Sequence, residues 1–360
     1  MDVGSPAHEL LARTSGLEDP LTLIDERARM RTAWVTWAVV VLAWGACAQA
    51  VTIDWVTVGD SGNNPDTAPV GHGAVASVYR IAKGEVTNAQ YCEFLNAKAA
   101  SADPYGLYNT SMWSEDYGCK IQRTGSPPGP YSYSVAADRA NRPVNFVSFW
   151  DAARFANWMH NGQGDGSTET GAYINVGDQT TFARQPGALF LIPTDDEWYK
   201  AAYYKGGGPD AGYWNYPTQS DTEPNSEAPP GGSSSANYYR YWSGGYAVGP
   251  PYYMSEVGAY LYSPSAYGTF DQGGNVFEWT ESVNPSLHQT RTFRGGSWYG
   301  GSSALSAQDF SAMLPQTELE VLGFRLGGAS GSDAIPEPAT MGLFGIAAAA
   351  AMLRRRRRRA

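Results

Sequence analysis

Apolar and polar positions alternate over residues 51–58 (VTIDWVTV), the period-two pattern of a half-buried strand. A cluster of Gly, Asn and Pro over 59–69 predicts the turn that follows. Three later segments change to helical spacing, each behind a capping signal. Thr87 with Gln90 opens a helix whose Tyr91, Phe94 and Leu95 share one face. Ser148 with Asp151 opens a second, burying Ala152, Phe155, Ala156 and Met159. Thr194 with Glu197 opens a third, with Trp198, Ala201 and Ala202 as its apolar stripe and Gly206, Gly207 and Gly208 to stop it. Residues 125–141 and 212–265 are irregular and crowded with Tyr, Gly, Ser and Pro, a density of rings that predicts ordered, packed loops. Short helices between long irregular stretches do not make a doubly wound sheet, and no internal repeat is present. The pattern predicts one irregular, loop-rich α+β domain over 51–330.

Both ends depart from this pattern. Met30 and Arg31 begin a basic stretch, an uncharged run extends from Thr32 to Ala48, and Ala48 and Ala50 supply the small residues of a signal-peptidase site. Residues 1–50 therefore read as an N-terminal extension and signal peptide. At the other end, Ile335, Pro336, Glu337 and Pro338 lead into an uncharged run ending at Leu353, then six arginines from Arg354. A short apolar span with a basic tail obeys the positive-inside rule, and the arginines can snorkel to relieve its length. Residues 331–360 resemble the PEP-CTERM sorting signal of Gram-negative-type bacteria. That resemblance implies an exosortase partner, a transient membrane span in the precursor, and a mature protein at the cell surface.

Charge narrows the choice of partners. Of the 360 residues only 17% are charged, and residues 51–335 hold 28 acids against 15 bases. So acidic a body argues against nucleic acid, since phosphate binding needs clustered Lys and Arg. Cys47 falls in the segment expected to be removed, leaving Cys92 and Cys119 as a disulfide or as two unpaired core thiols.

The chain is organised around Asp271 to Trp279 (DQGGNVFEW) and Arg291 to Trp298 (RTFRGGSW). Glu278 is a carboxylate among large apolar neighbours, so it must be paired, hydrogen-bonded or metal-bound. Its nearest natural companions in the sequence are Asp271 and the carbonyls of the glycine turn. With the upstream GEVTNAQY (84–91), RPVNFVS (142–148) and LIPTDDEW (191–198) and the closing GFRL (323–326), these motifs resemble the formylglycine-generating enzyme, or sulfatase-modifying factor, family. The resemblance spans 51–327 and implies a variant of the C-type-lectin-like fold.

In the oxidase members of that family, two cysteines after the RGGS motif bind copper(I), which needs soft thiolate ligands. Gly300 and Leu305 fall at those places here, and no cysteine follows. No copper and no catalytic residue are therefore expected. Ser297 matches a family serine but has no neighbouring base to activate it. The resemblance also implies structural calcium held by the side chains of Asp271 and Glu278 and the carbonyls of Gly274 and Val276, a ligand mixture that suits calcium. A second family site would involve Asn237 and the Tyr238 carbonyl, without a matching aspartate in this chain. His72, His160 and His288 are widely separated, and Asp195, Asp196 and Glu197 read as helix-start acids. Arg325 reads as an interior guanidinium paired with a carboxylate or carbonyls.

With no reaction centre in view, the aromatic loops carry the functional expectation. Tyr238, Tyr239, Trp242, Tyr252 and Tyr253 supply flat, amphipathic rings suited to recognition. The expected protein is secreted and sorted to the cell surface, with a catalytically silent domain that binds glycan or protein ligands. The alternatives are an oxidoreductase of the formylglycine-generating type acting on protein cysteine sulfur, and a structural component of the extracellular matrix.

Overall fold

The computed structural model describes residues 50–69, 71–242 and 244–329. The signal peptide and the sorting signal with its apolar span lie outside them. Among the described residues, no helix is long and apolar enough to cross a membrane.

Each of the three capping boxes forms, because its two hydrogen bonds need only residues three apart. In the first, Thr87 N donates to Gln90 Oε1 at 2.9 Å and launches α1 (Asn88–Lys98). Ser148 and Asp151 open α2 (Phe149–His160), and Thr194 and Glu197 open α3 (Asp195–Tyr203). Helix α3 ends before its glycine run, where Tyr204 turns to extended backbone at φ −66° and ψ 133°. The first strand, β1 (Trp55–Val58), is shorter than the alternation predicts. Val51 is instead clasped by the Gln163 side chain, which accepts from its N–H and donates to its carbonyl, both at 2.8 Å.

The strands are short and long-range. β2 (Tyr79–Ala82) lies between β1 and the last strand, β11 (Gly327–Ala329), antiparallel to both, so the two ends of the domain close on one sheet. The hairpins β3 (Ile121–Thr124) with β4 (Ser132–Val135), and β5 (Tyr173–Ile174) with β6 (Ala183–Arg184), lie apart from it. A four-stranded sheet joins β7 (Phe277–Val283), β8 (Arg291–Arg294), β9 (Ser311–Met313) and β10 (Leu322–Gly323) in the order β10-β7-β8-β9. β10 runs parallel to β7 and the other pairs are antiparallel. Aromatic rings fill the space between α1, α2 and this sheet. Tyr91, Phe94, Phe155 and Phe324 form one group, and Phe149, Trp279 and Phe293 the next. Cys92 and Cys119 are buried and unbridged.

Two carboxylates meet where α2 begins, Asp151 buried and Glu318 half-buried. Asp151 Oδ2 accepts from Ser148 N at 2.9 Å and Ser148 Oγ at 2.6 Å, yet burial pushes its pKa up to about 6. Glu318 accepts from Asn109 Nδ2, and burial followed by the negative charge of Asp151 pushes it up to about 7. A carboxyl whose folded pKa is raised holds its proton more tightly in the native state. The stability it contributes is complete below the unfolded pKa of about 4 and is lost as pH rises through the folded value. Asp271, pushed by burial to about 6, acts in the same direction, while His160, depressed by burial, opposes it. The urea midpoint is therefore expected to fall between about pH 5 and about pH 7.5. Glu318→Gln is expected to flatten that fall, and a midpoint that rises over the interval would contradict the assignment.

Candidate functional site

Three segments meet at Glu278, which β7 carries inward until the residue is fully buried. Arg325 Nη2 donates to Glu278 Oε1 at 2.6 Å and Arg325 Nε donates to Oε2, so the two groups meet fork to fork. Trp198 Nε1, on α3, adds a donor to Oε2 at 2.7 Å. The rest of the guanidinium serves main chain, donating to the carbonyls of Ala82 at 3.1 Å and Phe270 at 2.8 Å.

Both carboxylates of the expected calcium set are engaged by protein groups. Glu278 already has a cation at both oxygens. Asp271, left-handed at φ 60°, accepts from Gly258 N at 2.5 Å. Gly274, at φ 87°, lies so close to Asn237 that an added Cβ would stand 2.3 Å from the Asn237 carbonyl oxygen. Val276 turns its side chain into a cluster with Met254 and Trp298. The second family position is occupied too: the Asn237 carbonyl accepts from Asn275 N at 2.8 Å, and the Tyr238 carbonyl accepts from Ser226 Oγ at 2.6 Å.

Where copper thiolates would stand, the chain builds an aromatic groove. Leu305 is buried with Ala236 and Tyr238 as part of the core. Gly300 accepts from Tyr239 N at 2.9 Å, which straps the 238–242 loop across the turn. A Cβ on Gly301 would come within 2.8 Å of the Tyr241 ring, so only glycine lets that ring lie over the segment. The groove encloses about 370 Å³ between Tyr239, Arg240, Tyr241 and Trp242 on one side and Ser302 and Ser303 on the other, with Glu223 at its edge. Tyr241, Trp242 and Tyr299 are exposed, Trp242 fully so. Tilted and edge-on rings back Tyr241 and Tyr299, running from Tyr239 through Tyr246 to Tyr253 and Trp298, with ring centroids 4.8–5.4 Å apart.

Of the five aromatic residues singled out by sequence, Tyr239 and Trp242 line this groove with the buried Tyr238. The Tyr238 hydroxyl is committed to the Pro224 carbonyl at 2.6 Å. Tyr253 is one of the backing rings, and Tyr252 lies elsewhere, against the guanidinium groups of Arg139 and Arg142. Tyr241 lies within the same aromatic run, whereas Tyr299 and the two serines carry no signal in the sequence beyond their neighbouring Tyr and Trp residues.

Sequence reading missed a histidine cluster. His72 Nδ1 lies 2.8 Å from Asp195 Oδ2, and Asp196 Oδ1 accepts from Gly73 N at 2.8 Å. His72, Asp195 and Asp196 bring ligand atoms within 4.8 Å of one another. Arg294 already takes the cation's place, with Nε 2.5 Å from Asp195 Oδ1 and Nη2 2.9 Å from Oδ2. Burial would raise the Asp195 pKa, but the hydrogen bonds from His72 and Arg294 outweigh it and hold the carboxyl below its ordinary value. His160 accepts from Leu189 N at 3.2 Å and His288 is exposed, so the three histidines do not converge.

Residues 38–328 match the family described as Sulfatase-modifying factor enzyme 1-like domain, and residues 334–358 match the PEP-CTERM protein-sorting motif. No curated protein matches the chain. Among solved structures, CarF superposes with a TM-score of 0.50 at 20% identity, covering 78% of this chain and 100% of CarF. Treponema denticola variable protein 1 has a TM-score of 0.49 at 20% identity, over 78% and 96% of the two chains. PvdO from Pseudomonas aeruginosa has 0.43 at 17%, over 78% and 92%. At such identities the likeness to CarF concerns the fold alone, the loop-rich α+β, C-type-lectin-like architecture expected from the sequence.

Breaking the central ion pair provides its test. Glu278→Gln leaves a buried guanidinium without a counter-charge, and a loss of about 3–5 kcal/mol is expected in urea unfolding. A chelator is expected to leave the melting temperature of the native protein unchanged. Melting that drops on chelation and recovers with calcium would show that the folded protein holds calcium and would overturn this expectation.

Proposed function

Because the chain belongs to the Sulfatase-modifying factor enzyme 1-like domain family, we propose that its domain is a non-catalytic module that binds glycans in the groove formed by residues 239–242 and 301–303. The PEP-CTERM motif implies a secreted protein sorted at the surface of a Gram-negative bacterium, with exosortase as the sorting partner. A surface address places polysaccharide and neighbouring proteins within reach of the groove.

One observation carries the non-catalytic reading. The segment that holds copper thiolates in the oxidases contains Gly300 and a buried Leu305, and the body's two cysteines lie elsewhere. Burial pushes the Cys92 thiol up to about 12 and the Cys119 thiol up to about 11, so neither supplies the thiolate that copper(I) or sulfur oxidation requires. Ser297 Oγ accepts from Gly300 N at 3.3 Å and steadies the turn.

The lining favours sugar over an apolar protein face. Exposed indole and phenol rings offer flat faces to the C–H side of a pyranose, while Ser302, Ser303, Arg240 and Glu223 offer polar groups to its hydroxyls. The rings behind Tyr241 and Tyr299 reduce the ordering cost of binding by holding those two in place.

A glycan array probed with the full-length protein is expected to give discrete hits. Trp242→Ala and Tyr241→Ala should each weaken them at least about tenfold, the loss typical of a central aromatic contact. Both side chains are exposed, so melting should not move. The protein supplied with copper(I) and a cysteine-containing peptide should yield no aldehyde. Copper-dependent aldehyde formation would establish the oxidase reading instead. Binding to surface proteins with no glycan hit would move the ligand class to protein, and concentration-dependent self-association with neither would favour matrix material.

A further inference from the structure

A second cavity, of about 480 Å³, lies where residues 52–54 and 82–87 meet residues 256–258. It falls within the volume range of small-molecule sites, about 300–1,000 Å³, and shares no lining residue with the aromatic groove. Three acids stand in its wall, Asp54, Glu85 and Glu256, against one cation, Lys83. Lys83 is turned toward the Phe270 ring, with its Nζ 5.4 Å from the ring centroid. Asp54 and Glu256 are exposed at the rim, while Glu85 is only 3% exposed.

Glu85 is the unusual member. Its Oε1 accepts from Asn275 Nδ2 at 3.0 Å, and its Oε2 has no hydrogen-bond partner. The charged groups behind it do not balance it. Burial first, then the charges of Asp271 and Glu278, push its pKa well up, and the one guanidinium among them, Arg325, is engaged at both Glu278 oxygens. Gln90 in the wall is already engaged: its Oε1 accepts from Thr87 N, and its Nε2 donates to the Thr52 carbonyl at 2.8 Å. A buried carboxylate oxygen without a donor is costly until a proton or a cation supplies one.

We propose that this cavity binds a primary ammonium group carried on a short apolar chain, with Glu85 Oε2 as its anionic partner. The geometry distinguishes among cations. Only one Glu85 oxygen is free, so a guanidinium, which pairs by a two-pronged fork, is poorly matched, whereas an ammonium is a compact point charge. Calcium would require six or more oxygens. Leu261 and Phe270 cover the chain, and Asp54 and Glu256 draw the charge to the mouth. A free alkylamine and a lysine side chain present the same chemistry.

Calorimetric titration of the full-length protein with butylammonium chloride, Nα-acetyl-lysine methylamide, 1-butanol and calcium chloride tests the assignment. At least one ammonium probe is expected to bind about tenfold or more tightly than butanol, and Glu85→Gln should remove that margin. A tighter lysine derivative would identify a protein side chain as the natural occupant, and a tighter butylammonium a free amine. Glu256→Gln and Asp54→Asn alter exposed rim residues and keep the test valid if Glu85→Gln does not fold. Each should weaken the ammonium probes about two- to fivefold, less so at high salt. Equal binding of butanol, binding of calcium alone, or rim variants without effect would overturn the proposal.

Discussion

The buried pair of Glu278 and Arg325 holds the domain together at the point where its sheets and loops would otherwise part. Strand β7 supplies the acid, and the segment between β10 and β11 supplies the base. Through the guanidinium, the carbonyls of Ala82 and Phe270 are tied to the same centre, and Trp198 brings in α3. A buried ion pair is a poor source of net stability, because desolvation cancels much of the attraction. Its value here is geometric. A fold made of two- to seven-residue strands and long loops leaves carbonyls in its interior without ladder partners, and each needs a donor. Arginine brings five donors in a rigid fork. A hydrophobic substitute of the same volume could fill the space but would leave those carbonyls bare.

Local features of this architecture were legible in the sequence and non-local ones were not. The capping boxes at Thr87, Ser148 and Thr194 were readable because donor and acceptor lie three residues apart, and the buried faces of all three helices followed from the same periodicity. Glu278 was recognised as a carboxylate that must be satisfied, but its expected companions were Asp271 and the glycine carbonyls next to it. Its actual partner lies 47 residues along the chain. Arg294 and Asp195, 99 residues apart, are joined in the same way. Such contacts leave no spacing signal, since they depend on which strands pair. That pairing in turn rests on segments as short as β10 and β11, where alternation has too few positions to show.

The aromatic loops failed to be read for a different reason. Tyr238, Tyr239, Tyr241 and Trp242 are neighbours of the same chemical kind, yet one is core, one is wall and two face solvent. Composition cannot separate them; the close approach at Gly301 and the burial of Leu305 do. Those same two positions sit at the segment where the oxidases keep their thiolates. The leucine side chain has become part of the packing beneath the loop, and the glycine admits Tyr241 above it. The segment that follows the glycine turn is thus committed to packing below the loop and to a surface of rings above it.

The groove and the acid-lined cavity are separate, but both are anchored on one pair of amides. Asn275 Nδ2 donates to Glu85 in the cavity wall, while its Oδ1 accepts from Ser255 N at 2.9 Å and Asn237 Nδ2 at 3.1 Å. Asn237, at the root of the 238–242 loop, also donates to the Tyr253 carbonyl and accepts from Val248 N. Neither side chain can rotate without breaking bonds on both sides, and both are buried, where an unmade hydrogen bond is most costly. The position of the aromatic loop is consequently determined by the core rather than by a ligand. That is the arrangement expected of a binding surface that works by preorganisation, since little ordering is left to be done when the ligand arrives.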